Sequence, residues 1–502
     1  MTESITDKDL LVWFQSNYKK IPFINLADLI DERLDRSSRL ETTIKKELNI
    51  KQELHEQKEI LKKMWKDLVA NAIIYLKLQD KREKYNDDGD YGIDQLADFF
   101  DEYCDFEKLL YGSSDYYRDH VSHVFKVFLL GEYLVREKLP GGFSSIELFD
   151  HKLDVSWKKA SNDYEDEQER KDKKYTITEQ EKEAMWCVVS LTHDLGYPTE
   201  IMYKIPEKMR KMLSTFNIDV SYNASHQSQI YNDHILKLVA SDLERHSVYS
   251  RKGKKYYYTT HIKSKYYSKY SRSLEQWDHG LESCILLAKT LVYFLEMDCS
   301  LDERKKMDTL DARHFLIRQR MLKAIASHNC NYIYHLKLDM SFLLRIIDEM
   351  QEWGRPRLSD LFSTSPISSL EIKEFTQEII DYTIQFDYGK CTPVSINIEE
   401  AHRNIKEYFR RKIDLYTMVL RSAVDGKNRN FTLKFNVVDK IEISKPVTYQ
   451  FTHENPKDVT ISICYYNSDD SHSTLERDTY VKMSIFENTE AKWKEFYKKY
   501  YS

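Results

Sequence analysis

The chain has 502 residues, and its 76 Lys and Arg nearly balance its 82 Asp and Glu, so the formal charge of -6 implies no bulk electrostatic partner. Hydrophobic residues make up 41% of the chain, which excludes wholesale disorder, and the length allows about three domains. The 12 glycines and 9 prolines are too few for a turn-dense all-β chain or a Gly-rich nucleotide-binding fold. We therefore expect a mostly α-helical protein.

The first predicted unit, residues 1–110, is a charged helical region. Apolar residues recur at three- and four-residue steps from Leu40 and again from Leu61. This spacing fits either a helical hairpin or short coiled coil, or a packed amphipathic helix. The segment 84–92 is a loop by composition, and a further helix is expected to run to about Tyr111.

The second predicted unit, residues 111–390, consists of helical runs separated by two polar insertions, near 140–178 and 205–272. The first insertion contains a charge run, which is typical of a solvated loop. The second ends in a tract from Arg251 to Arg272 that interleaves basic residues with tyrosines, which we call the Lys/Tyr tract. This tract is either a solvated loop or a surface that grips phosphates and stacks bases.

The third predicted unit, residues 391–502, differs from the first two in its hydrophobic pattern. Apolar and polar residues alternate from Phe431 to Val437 and again from Val459 to Tyr465, which is the period of a β-strand. The fold class that follows is mostly α, with a helical core, a helical N-terminal region and a small C-terminal α+β domain. The chain contains no P-loop, dinucleotide-binding or nucleophile-elbow motif.

The sequence also predicts the compartment. The seven cysteines are scattered without a C-x-x-C pair, which predicts reduced thiols and excludes a zinc ribbon or a disulfide framework. The N-terminus lacks a basic region followed by an apolar run, so we expect no signal peptide. The most apolar later stretch, 285–295, is interrupted by Lys289, so we expect no membrane span and a cytoplasmic location.

Metal-capable side chains stand at or near one end of five helical runs in the second unit. In chain order they are His120 with His123, His193 with Asp194, His279, His328 and Asp348. Imidazoles and carboxylates suit Mn²⁺, Mg²⁺, Fe²⁺ or Zn²⁺ and exclude a soft thiolate site. Asp348 lies among leucines and isoleucines, where a carboxylate needs a partner. The alternative is a helical bundle with scattered histidines.

The order His, His-Asp, Asp on separate helices, with LTHDLGYP around the central pair, resembles the HD superfamily of metal-dependent phosphohydrolases. The resemblance covers residues from about Tyr116 to Arg355. The basic metal set that it implies is His123, His193, Asp194 and Asp348. It favours His123 over His120 as the first ligand, although the choice stays open. It also matches His279 and His328 to the extra histidines of binuclear members, which implies two divalent ions.

The resemblance implies hydrolysis of a phosphate ester, with Asp194 as the bridge between two ions and the orienting group in catalysis. We expect a nucleotide substrate, a possible nucleotide effector, no membrane partner and a homo-oligomer. The long flanks and insertions favour a deoxynucleoside-triphosphate triphosphohydrolase, an activity that sometimes serves in defence against phage. His279 and His328 instead favour a binuclear phosphodiesterase. A third alternative is a nucleotide sensor without turnover.

Residues near the proposed ligands, or in the second insertion, are candidates for further roles. Arg118, Lys126 and Arg355 are positioned in sequence to bind phosphate oxygens through charge-assisted hydrogen bonds. His226 and His234 are candidate general acids toward the leaving group, because imidazole titrates near neutral pH. For each of these residues the alternative is an exposed, solvated side chain.

Overall fold

A computed structural model of the chain describes most of the three predicted units. The described residues are 3–24, 31–78, 91–111, 118–148, 177–215, 229–250, 253–291, 306–307, 309–330, 338–355, 366–387, 398–423, 431–439, 447–455, 458–466 and 475–484. Within these ranges the protein is mostly helical with a smaller sheet region, as the sequence predicts. None of the helices in this described part of the chain has the length and hydropathy to cross a membrane.

The N-terminal region forms four helices that pack against the rest of the protein. They are α1 (Asp7–Asn17), α2 (Asp31–Thr42), α3 (Lys58–Tyr75) and α4 (Tyr91–Leu110). Trp65 on α3 stacks on Phe100 of α4 with ring centroids 4.2 Å apart. The indole of Trp65 also donates to the Leu191 carbonyl at 2.8 Å. The packed-helix interpretation is therefore confirmed, while residues 84–90 of the expected loop lie outside the described ranges.

The central region is a bundle of eight described helices. They are α5 (Val121–Tyr133), α6 (Glu179–Thr192), α7 (Tyr197–Ser214), α8 (Gln229–Val239), α9 (Ser264–Glu275), α10 (His279–Thr290), α11 (Thr309–His328) and α12 (Met340–Met350). Helix α6 begins with a capping box, in which Thr178 and Glu181 satisfy each other's backbone N–H groups. Gly131 lets α5 and α6 approach closely, because a Cβ there would lie 2.0 Å from the Trp186 ring. These helices bury their apolar faces against one another and form the core around the candidate site.

The tract from Arg251 to Arg272 at the end of the second insertion is folded from Gly253 onward, so the solvated-loop alternative is wrong for its described residues. An antiparallel hairpin of β2 (Ser241–Ser250) and β3 (Gly253–Ile262) leads into α9. The tyrosines of the Lys/Tyr tract supply the reason, since Tyr258 and Tyr270 are completely buried. Burying a large aromatic ring stabilises the fold and orders the backbone that carries it. Residues 149–176 of the first insertion lie outside the described ranges.

The remaining strands form one seven-stranded sheet in the order β1-β4-β5-β6-β7-β8-β9. They are β1 (Glu3–Ile5), β4 (Ile367–Phe375), β5 (Ile379–Phe386), β6 (Thr432–Asp439), β7 (Val447–Asn455), β8 (Asp458–Tyr466) and β9 (Leu475–Ser484). Strands β5 and β6 pair in parallel, because the long helix α13 (Ile398–Ala423) connects them. Strand β4 of this sheet begins at Ile367, before the expected boundary at 390, and the edge strand β1 comes from the N-terminal region.

Candidate metal centre

Helix ends bring the candidate ligands together on one side of the bundle. Helix α6 ends at Thr192, and a turn through Gly196 leads directly into α7. The turn touches α10 so closely that a Cβ on Gly196 would lie 2.3 Å from the His279 carbonyl oxygen. Pro198 lies in the first turn of α7, where its missing N–H needs no partner.

The first ligand set consists of His123, His193 and Asp348. His123 Nε2 lies 2.9 Å from Asp348 Oδ1, and His193 Nε2 lies 3.9 Å from the same oxygen. The Asp194 Oδ2 atom faces this set, at 3.9 Å from His123 Nε2 and 3.5 Å from His193 Nε2. Both histidines are completely buried, so their ring nitrogens meet the carboxylates without bulk water between them.

The second ligand set consists of His279 and His328. Their Nε2 atoms are 3.1 Å apart. The other carboxylate oxygen of Asp194, Oδ1, lies 3.4 Å from His279 Nε2 and 3.5 Å from His328 Nε2. Asp194 is thus shared between the two sets, with one oxygen directed at each.

Every histidine of the two sets is held through its Nδ1 atom. The acceptors are Gln351 Oε1 for His123 at 2.5 Å, the Ser190 carbonyl for His193 at 2.7 Å, Glu200 Oε2 for His279 at 2.6 Å and the Ile325 carbonyl for His328 at 2.7 Å. An oxygen that accepts requires the proton on Nδ1, and the Nε2 atom of each ring is directed into the cluster. Metal-binding histidines are oriented in this way in proteins.

The cluster fits a cation better than it fits a purely structural role. His193 Nε2 is buried without a hydrogen-bond partner among the described residues. In the second ligand set the Nε2 atoms of His279 and His328 also face each other, 3.1 Å apart. An ion between these donors would satisfy all of them. The described residues form three overlapping groups of His and Asp, and within each group the ligand atoms lie within 4.8 Å of one another. These groups could hold a metal ion.

The cluster also controls its own ionisation. Burial alone would raise the pKa of the Asp194 carboxyl, but the surrounding histidines outweigh burial and hold the pKa well below its usual range. Burial lowers the pKa of His193 to about 4. Burial alone would lower the pKa of His279 as well, but its hydrogen bond to Glu200 and the charge of Asp194 raise the pKa above that of an ordinary histidine. A charged carboxylate and a neutral His193 therefore persist at neutral pH.

We expect metal binding at the second ligand set to weaken first as the pH falls. Protons compete with a metal for imidazole, and the raised pKa of His279 lets them compete at a higher pH than at His193. The apparent affinity should fall by up to about tenfold per pH unit below that pKa. Titration calorimetry with Mn²⁺ at several pH values measures this loss. Glu200→Gln should move it to lower pH and weaken binding at neutral pH by about 10- to 100-fold; identical pH profiles for both proteins would contradict the assignment.

The structure places His123 rather than His120 in the cluster. His120 is the residue before α5, and its ring lies on that of Tyr197 with centroids 3.9 Å apart. It belongs to none of the groups of ligand atoms found among the described residues. Burial, aided by the positive charge of Arg355, holds the pKa of His120 well below the usual range, so the ring is neutral. His120 therefore lies beside the metal cluster without facing into it.

The three predicted phosphate-binding cations have different positions. Arg355 is almost completely buried, and it donates through Nε to the Asp119 carbonyl at 3.1 Å. Burial and Arg118 lower its pKa, while the carboxylates of Glu352, Asp194 and Asp348 oppose that shift. Arg118 forms an ion pair with Glu352.

The structure corrects the prediction that Lys126 binds phosphate. It points away from the cluster and is completely buried, with Nζ 2.9 Å from Asp7 Oδ2 and 2.6 Å from the Gly354 carbonyl oxygen. A phosphate cannot reach this ammonium, so we replace the predicted substrate role with a structural one.

Of the two candidate general acids, His226 lies outside the described residues. His234 is half-buried on α8 and is not among the described contacts of the cluster, so the structure does not support its catalytic role.

Two residues that orient the ligands were not predicted. Glu200 accepts from both the backbone N–H of His279 at 3.1 Å and its Nδ1. Gln351 accepts from His123 and donates to the Trp353 carbonyl at 2.8 Å. Gln351 follows directly after the end of α12 at Met350, so helical spacing from Asp348 gave no signal for it. Glu200 has no such signal either.

Comparisons of the chain with known proteins found no match. No protein-family model, no curated protein and no solved structure matches the chain at a significant level. The positions of the ligands and of the groups that orient them are therefore the observations on which a functional assignment rests.

Proposed function

We propose that the protein is a metal-dependent phosphohydrolase of the HD type with two divalent ions. One observation carries the proposal: the two oxygens of Asp194 face two different ligand sets. A carboxylate with this placement suits a bridge between two ions, as in binuclear hydrolases. The order of ligands along the chain also resembles that of the HD superfamily.

The first ligand set would hold one ion and the second the other, with Asp194 contributing one oxygen to each. The donors are imidazole nitrogens and carboxylate oxygens, which suit Mn²⁺, Fe²⁺, Zn²⁺ or Mg²⁺. When bound, such ions activate water and neutralise charge on a phosphoryl group. We expect metal analysis of protein loaded with Mn²⁺ to approach two ions per chain; saturation at one would contradict the binuclear site.

The side chains around the cluster support this chemistry by orientation and charge. Glu200 and Gln351 hold the His279 and His123 rings so that their Nε2 atoms face inward. The charges of Asp194 and Asp348 act on Arg355 and favour its ionised form. A guanidinium beside the metal carboxylates suits charge-assisted hydrogen bonds to phosphate oxygens. We assign Arg355 to substrate binding on this basis.

For the substrate we propose a nucleotide, with a deoxynucleoside triphosphate as the first candidate. Aromatic rings near the cluster support a stacked base: Tyr197 lies 5.1 Å from the His279 ring, and Tyr203 stacks on Trp277 at 5.3 Å. Depletion of deoxynucleotides would suit a role in defence against phage. The second ligand set favours the alternative, a binuclear phosphodiesterase. A sensor without turnover is the third possibility.

Product identification separates these activities. The purified protein is incubated with Mn²⁺ and a panel of deoxynucleoside and ribonucleoside triphosphates, cyclic nucleotides and dinucleotides, and the products are identified by mass. We expect nucleoside and tripolyphosphate from deoxynucleotides, with ribonucleotides poorer by about 1–3 kcal/mol in transition-state binding. Opening of a cyclic nucleotide would instead establish the phosphodiesterase. Binding without any product from protein that holds two ions would establish the sensor.

A further inference from the structure

The segment that leaves α12, residues 349–355, controls two of the metal ligands. We call it the α12 exit segment. It follows directly after Asp348, and its Gln351 orients the ring of His123 through a 2.5 Å hydrogen bond. The amide of Gln351 is in turn held by the Trp353 carbonyl within the segment. A displacement of this segment would therefore disturb both an imidazole and a carboxylate of the first ligand set.

A lysine from the C-terminal domain holds the α12 exit segment. Lys412 lies on α13, and its side chain is only 6% exposed. Its ammonium donates to the Glu349 carbonyl oxygen at 2.8 Å and lies 2.6 Å from Glu352 Oε1. The Glu349 carboxylate forms a further ion pair with the same ammonium. An ammonium has three donors, and three oxygen partners of Lys412 lie in this one segment.

Glu349 and Glu352 each form an ion pair with an arginine that lies next to one of the ligand sets. Glu352 forms an ion pair with Arg118, which precedes the helix that carries His123. Glu349 Oε1 lies 3.1 Å from Arg345 Nη2. The other end of that guanidinium donates to the carbonyl oxygen of His328, a ligand of the second set. One buried network of charges thus joins α13 to ligands on both sides of Asp194.

The edge strand β1 of the seven-stranded sheet leads to a second contact with the exit segment. Strand β1 pairs with β4, with Ser4 opposite Glu371, and leads directly into Asp7 at the start of α1. The carboxylate of Asp7 accepts from the Trp353 indole at 2.8 Å. The sheet and its helix therefore hold the exit segment at two points.

We propose that Lys412 is a positioning residue for the metal centre, through which the C-terminal domain sets metal affinity, a proposal that rests on the proposed metal-dependent function. Without the ammonium, Glu349 and Glu352 would be buried close together without their shared counterion. Like charges in a buried site repel strongly, so the exit segment would shift and take Gln351 and Asp348 with it. Lys412 contacts no metal ligand itself, so the effect would pass entirely through this segment.

The test compares Lys412→Met with a matched variant on the same helix, Lys406→Met. Lys406 is half-buried, and Asp439 is the charged group that acts on it. Titration calorimetry with Mn²⁺ measures the dissociation constant of each protein, and circular dichroism without metal confirms that each is folded. We expect Lys412→Met to raise the dissociation constant about 10- to 100-fold, as loss of a group that orients a ligand does, and Lys406→Met to leave it unchanged. Lys412→Arg should restore part of the affinity, because it restores the charge.

Excess Mn²⁺ gives a second readout. It should return kcat of Lys412→Met toward that of the wild type with KM unchanged, because the substrate-binding groups are intact. Wild-type Mn²⁺ affinity in folded Lys412→Met would overturn the proposal. If that variant does not fold, Glu352→Gln, which removes one of the two carboxylates, is measured by the same criterion. Wild-type protein that binds Mn²⁺ but hydrolyses no phosphate ester would overturn the proposed function instead, while the affinity comparison still decides the role of Lys412.

Discussion

Asp194→Ala should abolish both metal binding and hydrolysis. Its two carboxylate oxygens face the two ligand sets, so one substitution removes a ligand from each. A carboxylate also supplies the negative charge that partly neutralises the ions, which four imidazoles cannot do. We expect the rate of hydrolysis to fall by at least about a thousand-fold, equivalent to about 4 kcal/mol in activation free energy. Elemental analysis after loading and desalting measures the metal, and product formation measures the rate.

A matched variant separates this effect from the loss of any buried carboxylate. Asp67 on α3 is also almost completely buried, but its partner is Arg39, away from the cluster. Asp67→Ala should therefore retain the full metal content and rate per folded molecule. Full activity in Asp194→Ala would refute the metal centre. His328→Ala should remove metal only from the second ligand set and so lower the content without abolishing it.

Lys126→Met should strongly destabilise the protein. The ammonium of Lys126 and the carboxylate of Asp7 form an ion pair whose side chains are 0% and 2% exposed. Removing one partner of a buried pair leaves the other charge uncompensated, which costs about 3–5 kcal/mol. Urea unfolding in the presence of a chelator measures this loss independently of metal binding. A change in metal affinity with no change in the urea midpoint would contradict the structural role.

The partner substitution provides the control. Asp7→Asn removes the charge of Asp7 and keeps one oxygen, which can still accept from the Trp353 indole as Oδ1 does now. The amide nitrogen takes the place of Oδ2, which now accepts from the Leu54 N–H. Combined with Lys126→Met it should destabilise less than the sum of the two single changes, with a coupling free energy of about 1–3 kcal/mol. The exposed pair of Lys45 and Glu41 offers a comparison, because Lys45→Met should leave the urea midpoint unchanged.

The Lys/Tyr tract shows where sequence patterns failed. Composition from Arg251 to Arg272 favoured a loop, yet the tract forms β3 and α9. Tyr258 pairs with Arg245 across the hairpin and is completely buried, so its ring belongs to the core. Tyrosine serves equally on a surface and in a core. Only the elements that pack against the tract decide between the two.

The amino-acid sequence alone is enough to predict the helices of the core and the positions of the candidate ligands along them. Helical periodicity and helix ends are local properties, so a short window contains the information. The same holds for β6 and β8, whose alternation is visible in the chain.

How those elements meet depends on their packing in the tertiary structure. This packing brought β1 to β4, paired Lys126 with Asp7, and placed Glu200 against His279. Each of these contacts joins residues far apart in the chain, and neither partner carries a local signature of the other. The packing of whole helices sets such distances, and the choice between His120 and His123 depended on them in the same way. A lysine or glutamate is therefore assigned to a site or to the core only after the helices are in place.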